Sequence, residues 1–401
     1  MTTRRENRHW RHCMVVYSPY PHAETRVQRQ AELLVKEGVE VDVICPSLEQ
    51  DPEQECHNGV RIFRPRKRWI RKRGTLAQFS QYIIFFILAT IKLIQLNRRS
   101  RYDVIQIHNI PDFLVFVALI PKLMGARVIL DLHDLTPELY RSRIHGFTGR
   151  FLIPLIDIQE RLSCKFADHV ITVTERWRRF LIQRGVPPEK CSVVMNVADT
   201  QVFHPLDFNK KPQAENGGFH LFYHGSTSRL YRLDLVLMAL DRLRQQIPGI
   251  HMTIVGGGES LELLKSLSKD LDLEERVKFI SWVSVEELPA LISKADLGVV
   301  PLRKDGFTDT ALPTKLMEYA AVGLPSITSR TPINSDYFDD SMVQFCASDD
   351  LDDLIRCIVL LYSDPERREQ LAQGIQKFHQ LHSWTKVGAE YVTTVERLIS
   401  K

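Results

Sequence analysis

Short apolar runs alternate with amphipathic helical stretches along almost all of this 401-residue chain, and the alternation breaks once and then restarts. An apolar run bounded by turn residues marks a buried strand, whereas apolar residues every three or four positions mark a helix. The first half predicts a strand at Met14–Tyr17, a helix at Thr25–Glu37 stopped by Gly38, and a strand at Val39–Cys45. Further on come a strand at Asp103–His108, a helix from Phe113 to Met124 ended by Gly125, and a strand at Arg127–Leu132. A helix over Leu152–Phe166 and a strand at His169–Thr172 complete this half. Such alternation builds a parallel sheet with helices on both faces.

The tract 206–218, with Asp207, Asn209, Lys210, Lys211, Pro212, Asn216 and Gly217, is polar and reads as a linker. After it the pattern restarts with strands at Phe219–Tyr223, His251–Val255, Val277–Ile280, Leu297–Val300 and Ser326–Thr328. The helices between them fall at Leu233–Gln246, Ser260–Leu271 and Ser284–Ser293. A chain of this length exceeds one typical core. Two Rossmann-like domains are therefore expected, 1–205 and 219–380, with a cleft lined by strand C-termini, where ligands of such sheets bind.

Composition narrows the class. The apolar fraction of 44% and charged fraction of 25% are those of a soluble globular protein. Seven scattered cysteines without a Cys-x-x-Cys pair argue against a disulfide framework or a zinc site, and for a reducing cytoplasm. The polar, basic stretch Met1 to Cys13 lacks the apolar core of a signal peptide. Net charge is only +4, yet from Arg61 through Arg101 there are twelve Lys or Arg and no acid. Inside that window, Tyr82 to Ile91 is very apolar, flanked by Arg66-Lys67-Arg68-Trp69-Ile70-Arg71-Lys72-Arg73 and by Arg98-Arg99. Gln78, Ser80, Gln81 and Lys92 keep the apolar stretch short of the roughly 20 residues of a spanning helix. Two readings stand: residues 64–100 dock on an anionic membrane surface, or they form a core helix behind a solvated basic loop. Nucleic acid is a poorer partner, because no binding module is visible.

The densest motif is Leu312-Pro313-Thr314-Lys315-Leu316-Met317-Glu318-Tyr319-Ala320-Ala321-Val322-Gly323-Leu324-Pro325. It follows the apolar run Leu297 to Leu302 and a polar loop with Asp305, Gly306 and Asp309. That order predicts strand, loop, then a helix opened near Pro313 and stopped by Gly323-Leu324-Pro325. Free amides at the helix start, with Lys315 beside them, make a seat for a phosphate. Glu318, one turn on and on the face of Thr314 and Lys315, can accept two hydrogen bonds from a ribose diol. An ordinary amphipathic helix with an N-terminal proline would share the pattern.

This motif resembles that of the retaining glycosyltransferases of family 4, of GT-B architecture, in their polysaccharide-building branches. Their pattern is a carboxylate, seven residues, a second carboxylate, then small residues ending Gly-x-Pro. The resemblance implies that Glu318 holds the donor ribose, while the first, sugar-gripping carboxylate is replaced by Thr310. Asp309 or Thr310 is then the candidate for that role. The resemblance spans nearly the whole chain, and it implies that Trp384 to Ile399, within a tail segment 381–401, crosses back to the first domain.

Other segments extend it. Leu130-Asp131-Leu132-His133-Asp134-Leu135-Thr136-Pro137-Glu138 is similar to the family's His-Asp/Glu-Leu-x-Pro-Glu segment. It implies that His133 contacts the donor sugar, with Asp134 or Glu138 steadying its tautomer or facing the acceptor; His108 is a weaker candidate of the same kind. A strand-end histidine capping a turn is the alternative for His133. In His224-Gly225-Ser226-Thr227-Ser228-Arg229-Leu230-Tyr231-Arg232, the family's Gly-Arg and Lys-Gly are both replaced, leaving Arg229 and Arg232 as diphosphate partners, Arg229 favoured. Gly256, in Val255-Gly256-Gly257-Gly258-Glu259, would let the backbone approach the nucleotide. Ser281-Trp282-Val283 would meet the base, with Trp282 as platform or rim packing. Asp270-Leu271-Asp272 spells a metal-holding signature but ends a helix, so no metal is expected. Helix amides and cations must then carry the leaving-group charge.

These readings converge on a metal-independent transferase that moves a sugar from a nucleoside-diphosphate donor to a glycan or lipid-linked hydroxyl, with retention, in surface polysaccharide assembly. No cofactor is implied, and the expected location is cytoplasmic, peripheral to a membrane if the basic segment docks. The alternatives are an epimerase or hydrolase of the nucleotide sugar, and a non-catalytic nucleotide-sugar-binding subunit.

Overall fold

A computed structural model describes residues 10–21, 24–48, 51–65, 75–144, 146–205 and 218–400. The chain divides into two compact units, Met1–Met195 with Val387–Lys401, and Asn196–Lys386. The boundary therefore falls at Met195 rather than at 205. The last strand of the first unit ends at Val193, and residues 196–205 associate with the second unit. The expected linker 206–218 lies, up to residue 217, outside the described residues, as does the basic run 66–73.

The first unit holds strands β1 (Arg11–Val16), β2 (Glu40–Ile44), β3 (Gln54–His57), β4 (Val60–Phe63), β5 (Val104–His108), β6 (Arg127–Leu132), β7 (His169–Thr172) and β8 (Cys191–Val193). Their order in the sheet is β3-β4-β2-β1-β5-β6-β7-β8, parallel throughout except for the β3–β4 hairpin. Positive φ at Asn58 and Gly59 makes the tight hairpin turn. The chain leaves β1 towards β2 on one side and returns to β5 on the other, so the topological switch point lies between β1 and β5.

Two helices here differ from expectation. Instead of a helix from Phe113 to Met124, a 3₁₀ turn at Asp112–Ala118 precedes a short α-helix at Leu119–Leu123. Pro121 has no N–H to bond the carbonyl one turn earlier and its ring crowds that carbonyl, so the α-helix starts only two residues before it and the preceding turn is 3₁₀. The apolar helix runs over Thr75–Arg99, 25 residues, and its part Ala77–Arg99 is long and apolar enough to cross a membrane. The expectation of a stretch too short is thus corrected, because Gln78, Gln81 and Lys92 interrupt the composition without ending the helix. Phe85, Ala89, Leu93 and Leu96 are buried in the unit, while Phe79, Ile83, Ile87 and Ile91 recur every fourth residue on the exposed side.

The second unit holds β9 (His220–Ser226), β10 (His251–Gly257), β11 (Val277–Ile280), β12 (Leu297–Val300), β13 (Ser326–Ser329) and β14 (Gln344–Cys346). They form one parallel sheet in the order β11-β10-β9-β12-β13-β14. Its switch point lies between β9 and β12. The core gathers Leu221, Tyr223, Ile254, Val299 and Ile327 from the strands with Leu233, Val236, Leu240, Leu354 and Ile358 from the helices. The last helix, Trp384–Ile399, belongs to the first unit from Val387 on and buries Val387, Tyr391, Val392, Val395 and Leu398 there.

Candidate active site

At the switch point of the second sheet, β9 ends in His224-Gly225-Ser226, and the chain after β12 leads into a helix at Thr314–Val322. Pro313 caps that helix in extended conformation, and Gly323 ends it with φ +79. The helix is buried on most sides through Leu316, Met317, Tyr319, Ala320 and Ala321, so its first turn is held rigidly. Thr314 is exposed at its start.

Glu318 meets His224, whose Nε2–H donates to the Glu318 carboxylate in a very short hydrogen bond. The other ring nitrogen, Nδ1, faces the Tyr319 hydroxyl at 3.2 Å, which fixes the ring and its tautomer. Glu318 Oε1 keeps no partner among the described residues and is 21% exposed as a side chain, so it is open to a donor from outside.

Lys315 is 5% exposed, and its ammonium lies 3.7 Å from the Tyr231 ring centroid and 5.2 Å from that of Tyr223. No carboxylate pairs with it among the described residues. Aromatic faces offset only part of the desolvation cost of a buried ammonium. Gly225, at φ +103, stands beside it: a Cβ there would come 2.9 Å from Lys315 Cε and 3.1 Å from Nζ. The glycine therefore keeps a space open at a buried cation. Gly256 has a different task. With φ +119, its missing Cβ would sit 2.3 Å from the Gly225 carbonyl oxygen, so it permits β9 and β10 to end side by side.

A recess of about 550 Å³ shares Tyr231 with this cluster and is lined also by Arg229, Arg232, Leu263 and Arg303. Arg232 is already taken, by Asp234 at 2.9 Å and by Asp349. Its expected role at the diphosphate is corrected, since two carboxylates offset its charge. Arg229 has no ion pair among the described residues; nor has Arg303, which sequence reasoning missed although it directly follows the apolar run that ends at Leu302. Trp282 is 66% exposed and rests against the last residue of β10, where a Cβ on Gly257 would meet its Nε1 at 3.2 Å. Val283, beside it, is partly buried. Thr310 is also corrected: it is buried, and its hydroxyl donates to the Phe307 carbonyl at 3.0 Å, closing its own loop. Asp309 lies in that loop, its N–H bonded to the Asp305 carbonyl at 3.0 Å.

In the first unit, the chemistry gathers around Asp131, fully buried near the end of β6. Its carboxylate accepts from Arg26 Nη2 at 2.9 Å and Nε at 3.2 Å, from Gln30 at 3.0 Å and from Gln106 at 3.2 Å. Burial opposes its ionisation, but the Arg26 guanidinium and the neighbouring imidazoles hold the carboxyl well below the usual range. His108 Nδ1 lies 3.4 Å from Asp131 and 3.0 Å from His133 Nε2. His108 Nε2 is buried without a partner. A neutral His108 therefore carries its proton on Nδ1, donating towards Asp131 and His133. His133 Nε2 is then an acceptor, and its own proton sits on Nδ1, 3.7 Å from Glu24 Oε2. Burial lowers both imidazoles, His133 to about 3, so the pair is neutral at physiological pH.

Of the two expected carboxylates, Glu138 pairs elsewhere. Glu138 is bound to Arg184 and, at 3.0 Å, to Arg141, which removes it as an acceptor-side group. The Asp134 carbonyl accepts from Asn109 at 2.7 Å, positioning the turn. The steadying comes instead from His108 and Asp131. Glu24 and Arg26, which the sequence reading did not single out, stand at the start of the first helix (Thr25–Lys36), just beyond the C-terminal end of β1. Ligand atoms of His108, Asp131 and His133 lie within 4.8 Å of one another. The cluster does not suit a metal ion, because Arg26 already occupies both oxygens of its one carboxylate.

Comparison with known proteins agrees with this division. Residues 23–196 match a glycosyl transferase 4-like domain and residues 206–378 match glycosyl transferases group 1. Sucrose-phosphate synthase from Thermosynechococcus elongatus shares the fold with a TM-score of 0.79 at 16% identity, over 98% of this chain and 99% of that one. Anabaena HepE in complex with UDP-glucose does so with a TM-score of 0.71 at 17% identity, over 97% and 100%. The chain belongs to the GT-B glycosyltransferases of the family 4 and group 1 type. It is 25% identical to the chitobiosyldiphosphodolichol beta-mannosyltransferase of Candida glabrata over 337 residues, 75% of this chain and 72% of the relative. It is 30% identical to the GDP-mannose-dependent alpha-(1-6)-phosphatidylinositol monomannoside mannosyltransferase of Mycolicibacterium smegmatis over 155 residues, 38% of this chain and 40% of that one.

Proposed function

We propose that this glycosyltransferase takes a sugar from a nucleoside-diphosphate donor, with mannose the first candidate, and places it on a hydroxyl of a lipid-linked glycan at a membrane surface. The observation that carries the donor half is the buried Lys315, without a carboxylate partner among the described residues, beside the space at Gly225 and at the tip of a helix whose next turn presents Glu318. Helix amides and an ammonium are the partners a diphosphate needs, and a carboxylate braced by His224 suits a ribose diol. Arg229 and Arg303 add charge from the neighbouring recess. The leaving diphosphate is neutralised by these groups of the chain, without a metal.

The acceptor half rests on the apolar surface of the first unit. Besides Phe79, Ile83, Ile87 and Ile91, the helix Gly146–Phe166 exposes Phe151, Leu155, Ile158 and Leu162. Both helices pack on the same 3₁₀ segment, through Phe86–Phe113 with centroids 6.0 Å apart and Phe116–Phe166 at 5.0 Å. Two exposed apolar stripes in a unit whose basic run 61–101 has no acid fit the surface of an anionic bilayer. The relatives named above act, by their names, on dolichol-linked and phosphatidylinositol-linked acceptors.

The test is transfer by the full chain from GDP-mannose, UDP-glucose or ADP-glucose to chitobiosyl diphosphate carried on a short isoprenoid. Transfer should vanish in Glu318→Ala, with the fold intact. Donor turnover without acceptor would favour a hydrolase or epimerase, and nucleotide binding without any turnover would leave a binding subunit.

A further inference from the structure

We infer that a recess of the first unit, between the end of the helix Gly146–Phe166 and the turn after the helix Glu175–Gln183, binds the phosphate of an anionic phospholipid. The apolar stripe beside it then lies in the same bilayer. This rests on the membrane half of the reading above and deepens it, by naming the lipid class and where its headgroup sits.

The recess has a volume of about 340 Å³, at the small end of ligand pockets. Arg161, Lys165, Arg184 and Lys190 line it with one acid, Glu160, and with the apolar Leu181 and Val186. Arg184 is already spent, at 2.8 Å on Glu160 and also on Glu138. The side chains of Arg161 and Lys165 are in exposed residues and have no ion pair or hydrogen bond among the described residues. Lys190 is fixed by its Nζ, which donates to the Lys165 carbonyl at 3.0 Å, and Lys122 Nζ donates likewise to the Phe166 carbonyl at 2.8 Å. These two ammonium groups answer carbonyls at the end of the helix, where its dipole is negative, and so offset that pole. Burial lowers the Lys190 ammonium from its ordinary value, with Asp168 and Cys164 opposing and Lys122 adding repulsion. An anion in the recess relieves that cost. The neighbouring acids do not supply it. Asp157 is held by Arg141 at 2.7 Å and Asp168 by Lys122 at 2.6 Å, while Glu189, next to Lys190, does not line the recess.

The surroundings point to a lipid rather than to a dissolved anion. Phe151, Leu155, Ile158 and Leu162 recur at spacings of four, three and four, which is one stripe, about 16 Å long at the helical rise. Lys165 stands one turn past Leu162 on that stripe, and Arg161 one turn past Ile158 at its edge. Their stems can follow the apolar surface while the charges stay at headgroup depth. The short helix Leu119–Leu123, tied to the same helix end through Lys122, adds the exposed Leu119, Ile120 and Leu123. Apolar contact bordered by cations is how an interfacial helix meets an anionic bilayer, and a basic recess at its end suits an acidic headgroup.

The experiment sediments the full chain with vesicles of phosphatidylcholine, with and without phosphatidylglycerol. The wild type should bind the vesicles that contain phosphatidylglycerol more tightly, by about tenfold or more. Arg161→Gln with Lys165→Gln should lower that affinity by about 30-fold, the loss expected for two cations at an anionic surface. Lys36→Gln with Arg179→Gln removes two exposed cations that do not line the recess, and should change it by less than about threefold. Ile158→Gln with Leu162→Gln should also weaken binding. Equal losses from the two cation pairs would leave diffuse attraction alone and overturn the site, as would equal binding to both kinds of vesicle. Inorganic phosphate bound without any vesicle binding would overturn the lipid assignment. A dimer dissolved by Ile158→Gln with Leu162→Gln would make the stripe an interface between copies, which overturns it too. Transfer to a short-isoprenoid acceptor in solution should be unchanged in Arg161→Gln with Lys165→Gln. No transfer by the wild type would refute the proposed function and leave the lipid site standing.

Discussion

Replacing Lys315 by methionine isolates the charge at the helix tip. Methionine keeps most of the stem and can still lie against Tyr231, so the cost to the free protein is at most the cation–π contact, about 0.5–2 kcal/mol. A bound diphosphate loses far more than shape. A charge pair at 4 Å with an effective dielectric of 20 is worth about 4 kcal/mol, and a hydrogen bond to a charged group nets about 1.5–3 kcal/mol after desolvation. The smaller figure applies, because Arg229 and Arg303 are also within the same unit and share the load. Affinity for a nucleoside diphosphate should therefore fall by about 10- to 150-fold. Calorimetric titration of wild type and Lys315→Met with UDP, GDP and ADP measures it, using whichever nucleotide the wild type prefers. The nucleoside alone should bind both proteins alike. A dissociation constant within twofold of wild type for the diphosphate, or equal losses for nucleoside and diphosphate, would refute the idea that this ammonium receives the leaving group.

Three further outcomes follow from the geometry. Gly256→Ala should lose about 2 kcal/mol or more in urea unfolding, because φ +119 and a carbonyl oxygen at 2.3 Å leave no place for a methyl; an unchanged midpoint would contradict this. Asp131→Asn should cost about 3–5 kcal/mol, since it strands the buried Arg26 guanidinium, and a loss under 1 kcal/mol would show that the pair is dispensable. Burial raises the Asp112 carboxyl to about 6, above its unfolded value, so its folded form favours the proton. Its contribution is full below pH 4 and is lost as pH rises towards 6. Asp112→Asn should flatten stability across that window and stabilise the protein at pH 7 by about 2 kcal/mol; a wild-type slope would count against it.

The parallel architecture was legible because strands buried on both faces leave continuous apolar runs: β6, β7 and β12 fall where those runs lie. Elements with weaker patterns escaped. The β3–β4 hairpin is partly exposed, yet Asn58-Gly59 is a strong turn signal that went unread. The helix Pro365–Leu381 is polar over much of its surface and gave little period. At the site, the sequence pointed to Glu318, Lys315 and His133 through local spacing. It could not show that Asp349, 117 residues from Arg232 along the chain, neutralises that arginine. Nor could it show that Asp131 draws Arg26 and Gln106 together from different elements. Pairings across the fold decide which charged side chains remain available, and they leave no local trace.

Tyr391 donates its hydroxyl to Gln106 at 2.7 Å, and Gln106 in turn donates to Asp131 beneath the paired histidines. The helix that carries Tyr391 is thus a foundation stone for an imidazole carried far earlier in the chain, at His133. During synthesis the first unit must wait, half-built, until its final helix leaves the ribosome, and a fragment ending at Met195 would expose a greasy slot and a stranded amide. Anyone wishing to isolate that unit should graft residues 387–400 back onto it.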